Sequence, residues 1–328
     1  MLPTIADLIG NERRSIPFAL IEDAQEHVYE AAIRTPLVRL NYAEGPGELY
    51  LKLENLQPIG SFKIRGAYNA VRLLPASERA RGVWTVSAGN AAQGVGLAAK
   101  RAGVPCRVLV MDTAPVAKLD AIRRLGVEIV KAPFDECWEA LSERQHPEMM
   151  GTFVHPFEDD EFIAGNASVG LEILEDLPDV NAVVAAFGGG GLTCGIASAM
   201  QARSAQVKVF AAEPSTAAPL ARSLAVGSAQ IFPDWKASWV DGCGGKSVFP
   251  RMWGLARHLL AGSVIVTLEE VRRAMRLVAE RNHMIAEGAG ACAVAAALTG
   301  KCGAGKVVAV VSGGNIDLAK FKELTSDV

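Results

Sequence analysis

AVVAAFGGGGL, residues Ala182 to Leu192, is the stretch that decides the fold class. Its first six residues are apolar without alternation, which suits a strand covered on both faces of a parallel sheet. Four consecutive glycines follow, costing backbone entropy that a simple turn does not require. An Ala/Leu-rich segment with helical character then runs to Arg203. Strand, glycine turn and helix make half of a βα unit, and the same order recurs along the chain. Strands are expected at 48–53, 82–87, 106–111, 127–131, 182–187, 207–213 and 306–312, and helices at 91–102, 116–125, 192–203, 268–281 and 290–298. This alternation predicts an α/β protein, open and wound, its mostly parallel sheet flanked by helices on both faces.

Composition narrows the function. A chain of 328 residues suggests two domains or one large α/β unit, and half of the residues are hydrophobic, enough for a substantial core. A net charge of −3 gives no reason to expect a polyanionic partner, so nucleic acid is not expected. The longest apolar runs are far shorter than a membrane span, and Pro3 and Asp7 interrupt an opening segment too short for a signal peptide. A cytoplasmic protein is expected. The cysteines (Cys106, Cys137, Cys194, Cys243, Cys292, Cys302) show no CxxC spacing and the histidines no HxxxH spacing, so buried or incidental thiols are expected and no zinc site or disulfide framework. The polar, turn-rich stretch 227–250 reads as a loop covering something.

In open α/β sheets ligands sit beyond the carboxyl ends of strands, and four unusual segments fall there. Gly60-Ser61-Phe62-Lys63-Ile64-Arg65-Gly66-Ala67 opens a segment running to Leu74, with Ser61 as its expected N-cap and Lys63 in the first turn. A lysine there opposes the helix dipole and has its amine pKa pushed down, which imine formation needs. The plainer alternative is a solvated surface lysine. Ser87-Ala88-Gly89-Asn90-Ala91 frees backbone amides for a carboxylate and offers the Asn90 side chain, unless it is an ordinary capped turn. Gly188-Gly189-Gly190-Gly191-Leu192, aimed from a helix N-terminus, reads as a phosphate cradle or a tight turn. It is not GxGxxG, and Gly245-Lys246-Ser247 lacks the leading glycine of a P-loop, which would fall at Val240. Ser312-Gly313-Gly314-Asn315 ends a core strand with a hydroxyl, or is only a turn. Together these supply an amine, a phosphate cradle, an oxygen partner and a nitrogen partner, the requirement of pyridoxal phosphate.

These pieces, with the segment 155–165 (HPFEDDEFIAG) and Ala212-Glu213-Pro214-Ser215, stand in one order along the chain. In that order the sequence resembles the serine/threonine dehydratase and serine racemase family, the fold-type-II (tryptophan synthase β-like) pyridoxal phosphate enzymes. The resemblance runs from Thr35 to Asn315, and no separate regulatory domain is expected. It implies two open twisted sheets, with a small mobile domain (82–157) inserted in a larger cofactor-binding one (1–81 and 158–328), and a homodimer. It also implies that Lys63 carries the cofactor as a Schiff base and moves the α-proton. Phe62 would pack on the ring, Asn90 bond the phenolic oxygen, Gly188 to Leu192 hold the phosphate, and Ser312 face the ring nitrogen. Glu287 matches an acidic position near the cofactor. Ser87, Ala88, Gly89, Asn90 and Ala91 would shape the substrate site.

The implied reaction is β-elimination from a β-hydroxy amino acid to a 2-oxo acid and ammonia. A neutral hydroxyl at Ser312 stores a carbanion less well than a carboxylate, which favours prompt loss of a β-leaving group. The alternatives are β-replacement on an activated serine, and racemisation. Ala88 stands where racemases of the family have a serine serving the opposite face of Cα, which disfavours racemisation. Ala91 stands where dehydratases commonly have histidine, which implies a more open pocket and a bulkier β-substituent. Glu213 matches part of a cation site, but Pro219 stands where a further acidic residue is expected, so no metal is expected.

Overall fold

Valine, alanine and isoleucine runs set the strands of this protein, and the computed structural model describes residues 14–114 and 116–327. In chain order come helix α1 (Phe18–His27), strands β1 (Leu37–Arg39) and β2 (Glu48–Lys52), and helices α2 (Lys63–Leu73) and α3 (Ala76–Ala80). Then follow β3 (Val83–Val86), α4 (Asn90–Ala102), β4 (Cys106–Met111), α5 (Val116–Arg123), β5 (Glu128–Ala132), α6 (Phe134–Glu143) and β6 (Thr152–Phe153). Next are α7 (Asp160–Asp176), β7 (Ala182–Ala186), α8 (Gly191–Arg203), β8 (Lys208–Pro214), α9 (Pro219–Val226) and α10 (Pro250–Leu259). Strand β9 (Gly262–Val266), α11 (Leu268–Asn282), α12 (Gly288–Leu298), β10 (Lys306–Val310) and α13 (Leu318–Thr325) complete the order.

One sheet has six strands in the order β1-β2-β10-β7-β8-β9, parallel except for the antiparallel pair β1 and β2. A second has four parallel strands in the order β5-β4-β3-β6 and lies between β2 and β7 in the chain. The α/β architecture with two mostly parallel sheets is thus as the sequence predicts. Side chains of a strand alternate between faces, and β7 shows why its run is unbroken. Ala182, Val184 and Ala186 enter one core, with residues of α11 and α12, while Val183 and Ala185 enter another with α7 and α8. Both faces are dry, so neither has a polar set.

Three strands escape the pattern. Strands β1 and β6 have three and two residues, too few to show a period, and β9 is a sheet edge that exposes Ile265. The expected N-cap is also corrected. Phe62, not Ser61, precedes the first residue of α2, and no side chain caps that helix. Ser61 is buried and bridges to Gly313, while the Phe62 amide donates to the Ser312 carbonyl at 3.0 Å. The segment is used as a strand partner, and this backbone pairing sets Lys63 beside the end of β10.

A buried ionic cluster lies behind Lys63 on the same helix. The Arg65 guanidinium bonds Glu54 (Nε–Oε2 2.8 Å, Nη2–Oε1 2.8 Å) and Glu172 (Nη1–Oε1 2.6 Å, Nη2–Oε2 3.0 Å). Lys52 Nζ bonds Glu172 Oε2 at 2.6 Å, and all four residues are fully buried.

Candidate active site

Loops that follow β3, β7 and β10 line a cavity of about 390 Å³. All four segments singled out in the sequence reach it. Lys63, at the start of α2, donates from Nζ to the Pro156 carbonyl at 2.6 Å. That acceptor is neutral, and burial brings the amine down to about 7. A lysine whose charge is supported by no carboxylate spends much of its time at neutral pH as a nucleophile. The rings of Phe62 and Phe162 stand 5.2 and 5.4 Å from Nζ.

Asn90 is the first residue of α4, and its side chain is held from both ends. Its Nδ2 donates to Glu287 Oε1 at 2.7 Å, and its Oδ1 accepts from Asn315 Nδ2 at 2.7 Å. Asn315 is itself tied to the Ile59 carbonyl at 2.7 Å. Burial and the charge of Asp241 push the Glu287 carboxyl up to about 7, against the lowering effect of the Asn90 bond. In the preceding turn the Gly89 amide donates to Ser87 Oγ at 3.1 Å, and Ala88 and Ala91 present only methyl groups to the cavity.

The glycine run is dictated by a close approach. A Cβ on Gly189 would stand 2.2 Å from the ring of Phe157, and one on Gly191 2.7 Å from the Phe157 carbonyl oxygen. Gly190, at φ +90°, turns the chain into α8. The first backbone bond of that helix runs from the Cys194 amide to the Gly190 carbonyl at 2.9 Å. The earlier amides therefore have no intrahelical acceptor, and the residues from Gly188 to Leu192 that carry them line the cavity, as an anion site at a helix N-terminus requires. Ser312 is nearly fully buried at the cavity wall, and no group among the described residues takes its hydroxyl. Open amides at one end, a buried hydroxyl without a protein partner and a neutral amine fit the phosphate, the ring nitrogen and the aldehyde carbon of pyridoxal phosphate.

A family model described as pyridoxal-phosphate dependent enzyme matches residues 28–313. The chain belongs to that family. Family membership makes it an enzyme that uses pyridoxal phosphate. It is similar to an L-threonine ammonia-lyase of Thermotoga maritima, 41% identical over 304 residues that cover 91% of this chain and 75% of the relative. It is also similar to the catabolic L-threonine dehydratase TdcB of Staphylococcus aureus, 36% identical over 92% of this chain and 89% of the relative. Among solved structures, maize serine racemase has a TM-score of 0.86 and 30% identity, covering 95% of this chain and 96% of its own. Threonine deaminase isoform 2 from Solanum lycopersicum has a TM-score of 0.85 and 32% identity, covering 94% and 87%.

Several residues at this cavity are not legible in the sequence. Pro156 contributes a carbonyl, which leaves no mark in a sequence, and Phe157 contributes a ring against the glycines. From the stretch 227–250, Asp241, Gly242, Gly244 and Gly245 line the cavity, so that loop does cover something. Lys118 on α5 reaches across to Asp241. Lys246 binds no phosphate loop; its ammonium lies over the rings of Phe134 and Trp235, at 4.3 and 4.5 Å.

Away from the cavity, Glu213 accepts from the Leu220 and Ala221 amides, both at 2.8 Å, and from Ser263 Oγ at 2.6 Å. It caps α9 with both carboxylate oxygens occupied. Among the described residues no group of His, Cys, Asp and Glu has metal-holding geometry, and no helix is long and apolar enough to cross a membrane. All six cysteines are free and buried.

Proposed function

We propose that this enzyme is an ammonia-lyase that removes water and then ammonia from a β-hydroxy amino acid of the threonine or serine type, leaving a 2-oxo acid. The bound cofactor supplies an electron-withdrawing ring that acidifies the proton on the substrate's α-carbon. Lys63 carries the reading, because its amine near pH 7 sits in the cavity without a counter-charge and so takes that proton. The open amides from Gly188 to Leu192 hold the phosphate, and Ser312 meets the ring nitrogen as a neutral hydroxyl. Phe62 packs on the ring. Asn90, oriented by Glu287, donates to the phenolic oxygen. The amides of Gly89, Asn90 and Ala91 at the start of α4 hold the substrate carboxylate, with Ser87 and Ala88 beside them. The proton taken by Lys63 and the β-hydroxide lost make up the one water that leaves, and a second water hydrolyses the resulting enamine to the 2-oxo acid and ammonia.

The likeness to maize serine racemase favours a second reading, since racemisation begins with the same proton. Racemisation needs a second acid on the opposite face of Cα, and the methyl group of Ala88 gives none. In the proposed reading 82–157 is a small mobile domain inserted in a larger one, 1–81 with 158–328. The apolar core of Trp84, Leu109, Ala132, Cys137, Ala140 and Met149 lies wholly within 82–157 and supports that division, while the other core of the four-stranded sheet is shared with Ala67, Val71 and Phe162 of the larger part. The chain works as a cytoplasmic homodimer.

The test uses holoenzyme with serine, threonine, 3-hydroxyaspartate and 3-phenylserine, following 2-oxo acid and the inverted amino acid separately. Formation of 2-oxo acid, abolished together with the visible imine band in Lys63→Ala, is the expected result. Inverted amino acid in excess of 2-oxo acid sinks the lyase reading, and a band retained in Lys63→Ala sinks the assignment of Lys63.

A further inference from the structure

His155 stands one residue before the carbonyl that receives Lys63, and the proposed reaction leaves it unused. It is fully buried, and its backbone amide donates to Asp159 Oδ2 at 2.9 Å. The ring Nδ1 faces the amide N–H of Glu158 at 3.0 Å and that of Phe157 at 3.4 Å. A nitrogen that accepts from two amides carries no proton, so the ring hydrogen is on Nε2. Nε2 is buried and has no hydrogen-bond partner; the nearest carboxylate oxygen, Glu158 Oε2, is 3.8 Å away. The rings of Phe153, Phe157 and Phe249 stand edge-on around it, with centroids 5.7, 4.5 and 6.1 Å away. Desolvation, then Arg144, Lys63 and Arg251, push the imidazole down to about 2, so it stays neutral. A buried donor without a partner is costly, and it is tolerated here beside an Nδ1 that closes the turn 155–158.

That turn performs two tasks in the cavity. Its Pro156 carbonyl accepts the Lys63 amine at 2.6 Å. Its Phe157 ring and carbonyl press on Gly189 and Gly191, where a Cβ would meet them at 2.2 and 2.7 Å. A carbonyl is suited to the first task for a physical reason. It fixes the direction of Nζ through one N–H, yet it brings no charge that would raise the amine again. A carboxylate in the same place would hold the lysine protonated.

We propose that His155 is a positioning residue for Lys63: its Nδ1 sets the turn whose Pro156 carbonyl receives the amine whenever the amine is free. The proposal rests on the reading of Lys63 as the proton carrier. It predicts that the atom at Nδ1 matters and that the imidazole as a proton donor does not. In His155→Asn the Oδ1 atom falls near the place of Nδ1 and accepts the same amides. In His155→Gln the acceptor falls near Nε2, and His155→Leu has none.

Two measurements apply to each variant: the rate of imine formation when pyridoxal phosphate is returned to the stripped protein, and kcat and KM of the reloaded holoenzyme across pH. The Asn variant is expected to stay within about threefold of the parent in both, with the acid limb of its kcat profile unmoved. The Gln and Leu variants are expected to lose about tenfold or more in imine formation and kcat, the scale of leaving a buried amide donor without its acceptor. Their KM stays within about twofold and their acid limb shifts. Equal loss in the Asn and Gln variants, or an Asn variant that does not fold, overturns the proposal, since Asn retains the acceptor. Parental rates in Gln or Leu overturn it as well, while leaving Lys63 in its role. A parent protein that forms no imine overturns the reading of Lys63 and the proposal with it.

Discussion

Arg65→Met removes the cation at the centre of the buried cluster while keeping most of the side-chain volume. In the native protein two cations, Lys52 and Arg65, face two buried anions, Glu54 and Glu172, and the guanidinium also bonds Ser168 Oγ at 3.0 Å. After the substitution Lys52 still bonds Glu172, but Glu54 keeps only the neutral donors Thr35 and Gln57. Breaking a buried ion pair by removing one partner costs about 3–5 kcal/mol, a large part of the 5–15 kcal/mol or so that holds a domain folded. The pH dependence follows from Glu172. Burial alone would raise its carboxyl, but Arg65 and Lys52 hold it below its ordinary value of 4.5. A depressed carboxylate contributes stability that is present above its unfolded pKa and is lost as pH falls through the folded one. Removing Arg65 removes much of that contribution, so the deficit of the variant is full at pH 7 and narrows by about pH 3, below the ordinary carboxyl value. The assay is urea unfolding followed by tryptophan fluorescence at both values, with cofactor removed so that binding does not add stability. A deficit below about 1 kcal/mol, or one that does not change with pH, would refute the view that this cluster is held by charge rather than by shape.

Three further outcomes are expected. Gly189→Ala brings a methyl group against the Phe157 ring and is expected to weaken pyridoxal phosphate binding by about tenfold or more, read by titrating the visible band. In the cofactor-free protein Lys63 is expected to acylate with a midpoint near pH 7, against its ordinary 10.5, as read by mass spectrometry of the labelled peptide. Because the unfolded lysine stays protonated up to that higher value, the folded state binds fewer protons between the two, and folding stability should rise with pH through this window. Ser312→Asp places a carboxylate at the ring nitrogen; the expected result is slower formation of 2-oxo acid and more transamination, followed by the cofactor's conversion to its amine form.

The legible parts of this protein are those in which packing restricts the choice of residue. Strand β7 reads as an apolar run because its two faces enter two cores, and the segment 188–191 reads as glycine because Phe157 leaves no room for a Cβ. The turns around Lys63, Asn90 and Ser312, rich in Gly, Ser and Asn, are legible in the sequence and line one cavity. Where the backbone alone is used, the signal fails. Ser61 looks like a helix cap because its side chain suits one, yet its bridge to Gly313 uses main-chain atoms that any residue has. The same is true of Pro156. What a sequence can reveal about Lys63 is that an amine is present; burial brings it down to about 7, and a main-chain oxygen supplied from 93 positions away aims it. The histidine before that oxygen is the nearest side chain through which selection can act on it, so it is there that substitution should separate the presence of the amine from its aim.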